Sequence, residues 1–266
     1  MEKTLATKPI QWCLILGGSK GLGLATARKL ARHHYGIVIV HRDRRADMPV
    51  IEAEFEHIKM QAPGFYAFNS DATNAASRKE VILRLKELIG NNGALKIVVH
   101  SIAKGSLKPM VASDNKILTH EDINITFNAM ALSLYEWVQA ILAANLQHED
   151  MRVISFTSEG NTKAMPGYGA VSVAKVALEA LTRNMALEMA TLGVKVNCIQ
   201  AGVTETASFS MIPNSEKLME NALKRNPSGR LTKAEDVANV VYLLSTEEAK
   251  WITGTVLKAD GGESLR

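Results

Sequence analysis

Cysteine is scarce in this sequence, since only Cys13 and Cys198 occur among 266 residues. Each lies inside an apolar, strand-like run, where a reduced cysteine packs well in a protein core. Two such isolated cysteines argue against both a disulfide framework and a cysteine metal site. We therefore expect both thiols to be buried and reduced, and we expect no bound metal.

Long apolar runs and a strong excess of one charge are also missing. No run reaches the ~18 residues that a membrane-spanning helix needs, and residues 1–10 include no apolar stretch of signal-peptide length. We expect a cytoplasmic protein with no membrane partner. The formal net charge is +4 and the charges are scattered. This argues against nucleic acid as a partner, although it favours phosphorylated cofactors or an acidic carrier protein.

What the sequence does contain is a regular alternation of short apolar runs and amphipathic segments. The candidate strands are Trp12–Leu16, Ile37–His41, Gly64–Phe68, Lys96–His100, Arg152–Thr157, Val194–Ile199 and Thr255–Ala259. The candidate helices lie near Gly21–His34, Met48–Met60, Asn74–Ile89, Glu121–Ala144, Ala170–Ala190 and Lys233–Leu244. Because the strands are almost continuously apolar, helices must cover both faces of the sheet. This order predicts an α/β fold of the Rossmann type, with a doubly wound, seven-stranded parallel sheet in a single domain over residues 1–266.

One stretch, Thr204–Thr232, has no predicted helix or strand. It follows the carboxyl end of a strand, and doubly wound sheets bind their ligands at that edge. Connections of this length are uncommon in compact domains unless they serve a function. We therefore predict a substrate lid at about 204–226.

A glycine-rich turn joins the first strand to the first helix. Gly17, Gly21 and Gly23 follow a Gly-x3-Gly-x-Gly spacing. Glycine lets the backbone approach a pyrophosphate, and the helix start that follows offers free N–H groups and the positive end of a dipole. Glycine also serves ordinary tight turns, but the strand before it and the helix after it favour a dinucleotide site.

The end of the second strand bears on the choice of nicotinamide cofactor. In NAD binders an acidic residue there takes the ribose hydroxyls, whereas the 2′-phosphate of NADPH favours a guanidinium group. Here the strand runs into His-Arg-Asp-Arg-Arg at residues 41–45. Arg42 is the cation nearest the strand, and Lys20 in the glycine turn offers a second charge. A solvated basic turn is the alternative, and Asp43 keeps NADH open, but NADPH is favoured.

Tyr168 and Lys175 form the candidate reaction centre. If Tyr168 opens a helix, the step to Lys175 turns the chain by roughly 700°, which places both side chains within ~20° of one face. An ammonium beside a phenol stabilises the phenolate and can also hold the ribose hydroxyls of a cofactor. Alternatively, Tyr168 packs in the core and Lys175 is a solvated charge. The functional interpretation therefore depends on the surrounding motifs.

From its first strand to its carboxyl terminus, the chain resembles a short-chain dehydrogenase/reductase. The resemblance is carried in chain order by Gly17–Gly23, Asp71 and Ala72, Ser101 to Ala103, Asn128, Tyr168, Lys175, Asn197–Gly202, Val203 to Thr206, Gly254 and Asp260 to Gly262. It implies that Asp71 binds the adenine amine, that Ala72 or Ile102 lines the adenosine half, and that Val203 and Thr206 hold the nicotinamide carboxamide. The implied cofactor residues are Gly17, Ser19, Lys20, Gly21, Leu22, Gly23, Arg42, Asp71, Ala72, Ser101, Ile102, Ala103, Lys175, Gly202, Val203 and Thr206.

The spacing of the tyrosine and the lysine indicates a branch of that superfamily. Most members carry Tyr-x3-Lys, but residue 172 is a serine here, and Tyr168 and Lys175 follow the Tyr-x6-Lys pattern of enoyl-acyl-carrier-protein reductases. The run His100–Ala103 also resembles that branch. Ser158 stands where the commonest enoyl reductases have a second tyrosine, and the reductase III branch, which the chain most resembles, tolerates a serine there.

The resemblance implies NADPH-dependent reduction of a trans-2-enoyl thioester of an acyl-carrier protein or coenzyme A. Tyr168 would hydrogen-bond to the thioester oxygen as negative charge develops there, and Lys175 would hold the nicotinamide ribose. Ser158 would donate a further hydrogen bond, or it would only cap a loop. A 3-ketoacyl thioester reductase or other carbonyl reductase is the nearest alternative, and a non-catalytic nucleotide-binding regulator is a more distant one.

Two further expectations concern the lid and the assembly. The apolar lid residues Phe209, Met211, Ile212 and Leu218 suit an acyl chain, or else they pack internally. The helices at Glu121–Ala144 and Ala170–Ala190 resemble those that pair in the tetramers of the superfamily. We therefore expect a homotetramer, although the same apolar faces would also serve the core of a monomer.

Overall fold

The computed structural model describes residues 9–90, 93–113, 116–212 and 214–266. The prediction that residues 1–10 contain no targeting signal falls mostly on residues 1–8, which lie outside these ranges. Within the described ranges, no helix is both long enough and apolar enough to cross a membrane. The same ranges hold no group of three or more histidine, cysteine, aspartate or glutamate side chains arranged to bind a metal.

The strands all lie in one parallel sheet. They are β1 Ile10–Leu16, β2 Gly36–His41, β3 Phe65–Asn69, β4 Gly93–His100, β5 Gln147–Ser158, β6 Lys195–Ala201 and β7 Val256–Ala259. Their order is β3-β2-β1-β4-β5-β6-β7, and every pair is parallel. The predicted α/β fold with a seven-stranded parallel sheet is confirmed. The order reverses between β1 and β4, and ligands of such sheets bind in the crevice outside the carboxyl ends at that point.

Five of the six predicted helical segments correspond to single helices, one is divided, and two further helices lie in the stretch Thr204–Thr232. The helices are α1 Gly21–Arg32, α2 Met48–Lys59, α3 Ala75–Ile89, α4 His120–Phe127, α5 Ser133–Ala143, α6 Gly169–Glu188, α7 Ala207–Ser210, α8 Ser215–Arg225 and α9 Ala234–Ser245. The segment predicted as a single helix at Glu121–Ala144 is instead α4, a π-helical turn at Asn128–Leu132 and then α5.

Buried polar contacts accompany the π-helical turn between α4 and α5. The Ser133 hydroxyl donates to the carbonyl oxygen of Ala129 at 2.8 Å, and Nε2 of the buried His100 lies 2.8 Å from the same hydroxyl. A serine that bonds back to the helix backbone competes with the regular hydrogen-bond ladder, and wide turns of this kind are frequent at functional sites. Met130, within the turn, lines the crevice above the sheet.

Two apolar layers hold the helices on the two faces of the sheet. Along β1, Trp12, Leu14 and Leu16 lie in the layer shared with α3, α5 and α6, whereas Cys13 and Ile15 lie in the layer shared with α1, α2 and α9. Burial of each large aliphatic side chain contributes about 1.5–3 kcal/mol, so this alternation fixes the sheet as the central layer. Both cysteines are buried and free, as predicted.

The amino-terminal edge of the sheet is held by one buried carboxylate. Asp150 accepts from Lys96 at 2.5 Å and from Arg152 at 2.9 Å, and its other oxygen lies 2.8 Å from the ammonium of Lys195. Arg152 also donates to the carbonyl oxygens of Leu244 and of the turn after α9. These contacts lock β4, β5 and β6 to the end of α9, far from the carboxyl edge where ligands bind.

The stretch Thr204–Thr232, left without predicted elements, contains two helices. The short α7 is followed by α8, and Thr204 pairs with Thr232 in an isolated parallel bridge. Only Ala222 is buried among the α8 residues, but Leu218, Met219, Ala222 and Leu223 recur at helical spacing in the sequence. Its charges, with Glu216 in the first turn and Lys224 and Arg225 in the last, also complement a helix dipole, so the sequence offered two signals for this helix.

Candidate active site

A cavity of about 720 Å³ opens at the carboxyl edge of the sheet. All of the predicted site residues except Gly23 line it. These are Gly17, Ser19, Lys20, Gly21, Leu22, Arg42, Asp71, Ala72, Ser101, Ile102, Ala103, Ser158, Tyr168, Lys175, Gly202, Val203 and Thr206. Asn128, part of the resemblance, is exposed and does not line the cavity.

Gly23 lies behind the cavity wall and serves close packing. A Cβ atom at this position would lie 2.2 Å from the carbonyl oxygen of Gly17, so only glycine lets α1 approach the end of β1 this closely. Gly17 has a φ of +85°, and a Cβ there would lie 2.6 Å from the carbonyl oxygen of Ser101. The turn is therefore compact, and it brings the start of α1 to the cavity.

The start of α1 fits the pyrophosphate of a dinucleotide. An α-helix leaves its first N–H groups without partners inside the helix, and no side chain caps this end of α1. The residues of the first turn, Gly21 and Leu22, line the cavity. Uncapped N–H groups at the positive end of a helix dipole attract an anion, so the chain can hold a phosphate group here.

The acidic residue after β2 faces the glycine turn. The Asp43 carboxylate lies 2.9 Å from the ammonium of Lys20 and 2.9 Å from Nδ1 of His41, and its side chain is only 9% exposed. Burial opposes ionisation of Asp43, but hydrogen bonds from Ser19, Lys20 and His41 outweigh it and hold the pKa below its usual value. Lys20 also pairs with Asp47 at 3.0 Å. Asp43 and Lys20 therefore largely neutralise each other.

Arg42 lies at the rim of the cavity beside Asp71. Its guanidinium donates to Asp71 Oδ2 at 2.8 Å, and its side chain is 60% exposed. Asp71 Oδ1 accepts from the amide and the hydroxyl of Thr73 at 2.9 and 2.6 Å. Lys104 is 3.7 Å from the same carboxylate. The predicted adenosine end thus carries two cations, Arg42 and Lys104, around one carboxylate.

The predicted proton donor sits at the start of α6. Tyr168 is the residue before the helix and is 8% exposed. Its hydroxyl lies 3.0 Å from Oγ of Ser158, at the end of β5. Burial raises the pKa of Tyr168, although the hydrogen bond with Ser158 partly opposes this. At neutral pH Tyr168 therefore carries its proton and can donate a hydrogen bond.

Lys175 is buried on the same helix, and the cavity reaches both side chains. Its ammonium donates to the carbonyl oxygen of Phe156 at 2.6 Å. Burial lowers the pKa of Lys175 to about 8, while Cys198 and Glu179 favour the charged form. The ammonium is thus held by the backbone of β5 at the base of the cavity, where it is placed to meet a cofactor.

Comparison with known proteins identifies the family of this chain. Residues 17–264 match the family model described as enoyl-(acyl carrier protein) reductase. The chain belongs to this family. It is therefore an oxidoreductase of the short-chain dehydrogenase/reductase superfamily, whose members bind a nicotinamide cofactor.

Individual relatives carry two different activities in their names. The enoyl-[acyl-carrier-protein] reductase [NADH] of Aquifex aeolicus is 29% identical over 93% of this chain and 92% of that protein. The 3-oxoacyl-[acyl-carrier-protein] reductase of Staphylococcus aureus is 24% identical over 94% of this chain and 96% of that protein. A short-chain dehydrogenase of Burkholderia cenocepacia, solved with NADP, has a TM-score of 0.81 at 26% identity, covering 97% of this chain and all of that one.

In this enoyl reductase family member, apolar residues surround the Tyr168 ring. Met130, Val171, Leu107 and Met165 pack with it and line the same cavity. Sequence reasoning missed these residues because apolar side chains carry no motif and come from separate loops and helices. They give the reaction centre a wall of low polarity.

Charged residues that the sequence analysis missed form a second part of the wall. Glu159, Lys163, Arg225 and Glu263 line the cavity, on the segment after β5, on α8 and near the carboxyl terminus. Glu159 follows Ser158 directly, and Glu263 follows the Asp260 to Gly262 motif, so their neighbours in sequence were the available signal. The cavity wall is therefore a mixture of apolar and ionised groups.

Proposed function

We propose that the protein reduces the carbon–carbon double bond of trans-2-enoyl thioesters with NADPH. One observation carries the proposal. The Tyr-x6-Lys pair and Ser158 share one cavity with the uncapped start of α1, so a proton donor and a dinucleotide site are adjacent. The match to the enoyl reductase family model supports the same reaction.

In this proposal, bound NADPH supplies the hydride that the β-carbon of the substrate accepts. Tyr168 then donates a hydrogen bond to the thioester oxygen, on which negative charge develops. Its raised pKa keeps the proton on the phenol while negative charge develops on that oxygen. A proton then adds to the α-carbon of the enolate, which completes the saturated thioester. A donor already placed in an apolar wall stabilises this charge more than water would, because it needs no reorganisation.

Ser158 and Lys175 assist the tyrosine in different ways. When the phenol donates to the thioester oxygen, the Ser158 hydroxyl 3.0 Å away donates to the phenol oxygen and fixes its direction. Lys175, anchored on the Phe156 carbonyl, binds the ribose hydroxyls of the cofactor and adds positive charge near the developing negative charge. Because burial lowers its pKa to about 8, contact with cofactor oxygens would also restore solvation that the ammonium lacks.

Arg42 supports NADPH over NADH. Its exposed guanidinium lies at the rim of the cavity, at the end proposed for the adenosine, and a guanidinium pairs well with a phosphate. Asp43, the residue that would favour NADH, points its carboxylate to Lys20 and His41. This leaves Arg42 with Asp71 as the pair that meets the adenosine.

The segment 204–226 is proposed to be the lid over the acyl chain. Phe209, Met211, Ile212 and Leu218 all line the cavity, although Met211 is 73% exposed in this state. Apolar side chains at a cavity mouth favour an apolar ligand. We propose a thioester of an acyl-carrier protein or coenzyme A as the substrate, a cytoplasmic location and a homotetrameric assembly.

A 3-ketoacyl thioester reductase is the second candidate, since the Staphylococcus aureus relative has that activity in its name. The test is to follow NADPH absorbance with crotonyl and acetoacetyl thioesters side by side. We expect oxidation with the crotonyl thioester. Oxidation only with the acetoacetyl thioester would sink the enoyl assignment, and NADPH binding with no turnover of either would favour a non-catalytic regulator.

A further inference from the structure

Arg225, the last residue of α8, joins the proposed lid to two other segments of the cavity. Its Nη2 donates to Glu159 at 2.5 Å and to Glu263 Oε1 at 3.2 Å. Glu159 is the neighbour of Ser158 in sequence and also pairs with Lys163 at 2.6 Å. One guanidinium therefore contacts the segment that carries Ser158 and the carboxyl-terminal turn at once.

Glu263 connects this guanidinium to the proposed nicotinamide segment. The residue is 3% exposed, and its Oε2 accepts from the amide of Val203 at 3.0 Å. A Cβ atom at Gly202 would lie 2.9 Å from the same oxygen, so the glycine makes room for the carboxylate. The two oxygens of Glu263 thus have different partners, the backbone after β6 and the end of α8.

Both oxygens of Glu263 accept from N–H donors, which suits an ionised carboxylate. Burial nevertheless raises the pKa of Glu263, the carboxylates of Glu159 and Asp260 add to the rise, and the Val203 amide and Arg225 oppose it only in part. Two cations, Arg225 and Lys163, face the two carboxylates of the cluster. An ionised carboxylate holds one geometry firmly when both of its oxygens are bonded in a site of low polarity.

We propose that Glu263 and Arg225 are positioning residues that couple cofactor binding at the Val203 segment to the ordering of α8. The inference rests on the proposed function, because it places the nicotinamide beside Val203. A cofactor that fixes this segment also fixes Glu263, and Glu263 in turn holds Arg225 and the end of the lid helix. Coupling of this kind is reciprocal, so a ligand under the lid must strengthen cofactor binding by the same factor.

Hydrogen–deuterium exchange of the full-length protein tests the coupling without turnover. In the wild type, NADPH should slow amide exchange in the α8 peptides by about fivefold or more, the lower end of usual coupling factors. In Glu263→Gln, which keeps an oxygen for the Val203 amide and loses the charge that holds Arg225, the effect should fall below about twofold. Arg225→Met should behave in the same way.

Matched controls separate coupling from a general loss of charge. Arg230→Met removes an exposed arginine that pairs with Asp236, and Glu247→Gln removes an exposed glutamate that pairs with Lys250. Both variants should keep the full response of α8 to NADPH. NADP⁺ with crotonyl thioester, which cannot react, supplies the reciprocal measurement, since the thioester should tighten NADP⁺ binding in the wild type and in these controls but not in Glu263→Gln.

Cofactor binding, measured by fluorescence, distinguishes failure of the proposed coupling from failure of the proposed reaction. If the wild type binds NADPH but α8 exchange is unchanged, or if Glu263→Gln retains the wild-type response, the coupling is absent whatever the reaction is. If the wild type binds NADPH, shows the coupling and fails to reduce crotonyl thioester, the proposed reaction is wrong and the positioning pair stands. If neither NADPH nor NADH binds, both the coupling and the proposed reductase function are wrong.

Discussion

Single residues set the chemistry of the cavity, and the phenol of Tyr168 is central to it. Its proton is retained because the ring is buried among apolar side chains, and its direction is set by Ser158 at 3.0 Å. Lys175 does not hydrogen-bond to the phenol but to the Phe156 carbonyl. The arrangement therefore favours a neutral tyrosine that donates a proton over a preformed phenolate.

The first prediction removes that proton donor. Tyr168→Phe should lower kcat by about 10²–10⁴, the usual contribution of a positioned acid, and should leave the Kd for NADPH nearly unchanged. Steady-state kinetics and cofactor titration measure both. Tyr66→Phe, which alters a tyrosine stacked on Trp12 away from the cavity, is the matched control. Unchanged turnover in Tyr168→Phe would remove the proposed mechanism.

The second prediction concerns cofactor choice at Arg42. Loss of a charge-assisted hydrogen bond costs about 1.5–3 kcal/mol, so Arg42→Ala should weaken NADPH binding about 10- to 100-fold and change NADH binding little. Arg44→Ala, at an exposed position outside the cavity lining, should affect neither. Equal losses for the two cofactors would show that Arg42 does not read the 2′-phosphate.

The parts of the site that could be predicted are those encoded by a motif within one short segment of the sequence. The glycine turn and the Tyr168–Lys175 spacing are local, so the sequence alone brought them to the cavity. Glu263 and Met130 were missed because their place in the wall depends on packing between segments far apart in the chain. The partner of Asp43 was missed too, since only the folded turn shows that Lys20 lies 2.9 Å from it.

At the scale of elements, apolar runs explain which strands were predicted. Five strands, β1, β2, β4, β5 and β6, are mostly buried, while the edge strands β3 and β7 contain no fully buried residue and were still predicted from their apolar composition. Helix α8 was missed although Leu218, Met219, Ala222 and Leu223 recur at helical spacing, because the segment was assigned as a lid without regular structure. The π-helical turn was missed because it depends on contacts of Ser133 with Ala129 and with His100, which lies on a strand.

The third prediction concerns the π-helical turn and is tested by the pH dependence of protein stability. Burial lowers the pKa of His100 to about 3 from an ordinary value of 6.5, so the unfolded chain binds a proton between these values and the folded chain does not. Stability contributed by neutral His100 is present above pH 6.5 and is lost as the pH falls toward 3.

The variant His100→Asn removes this titration. Since one pKa unit corresponds to about 1.4 kcal/mol, the wild type should lose on the order of 3 kcal/mol more than His100→Asn between neutral pH and about pH 4. Urea unfolding at several pH values measures the difference. His57→Asn, at an exposed position on α2, should keep the wild-type dependence. The same slope in all three proteins would mean that His100 is not held neutral by the fold.

At the scale of the whole molecule, the two ends of the parallel strands differ in function. The amino-terminal edge is locked by Asp150 and its three cations, while the carboxyl edge is left open as a cavity. Apolar residues are also exposed on the helices expected to pair between subunits. They are Ile125, Tyr135, Val173, Val176 and Leu187. A surface of this kind is typical of a subunit interface.

The fourth prediction is that these helices assemble the chain into a tetramer. Sedimentation of the wild type should give four times the chain mass. Val176→Glu should give a smaller species, because an unpaired charge in an apolar interface is costly. Leu83→Glu, on the exposed side of α3, should remain tetrameric. A monomeric wild type, or a tetrameric Val176→Glu, would contradict the assembly.

The reaction itself is tested most directly by the destination of the hydride. The protein is incubated with crotonyl thioester and with NADPH that carries deuterium at the transferable position of the nicotinamide ring, and the product is analysed by mass spectrometry. We predict a saturated butyryl thioester with one deuterium at the β-carbon. Two results together would contradict enoyl reduction. The crotonyl thioester would remain unchanged, and deuterium would be transferred to the ketone carbon, at the β-position, of an acetoacetyl thioester.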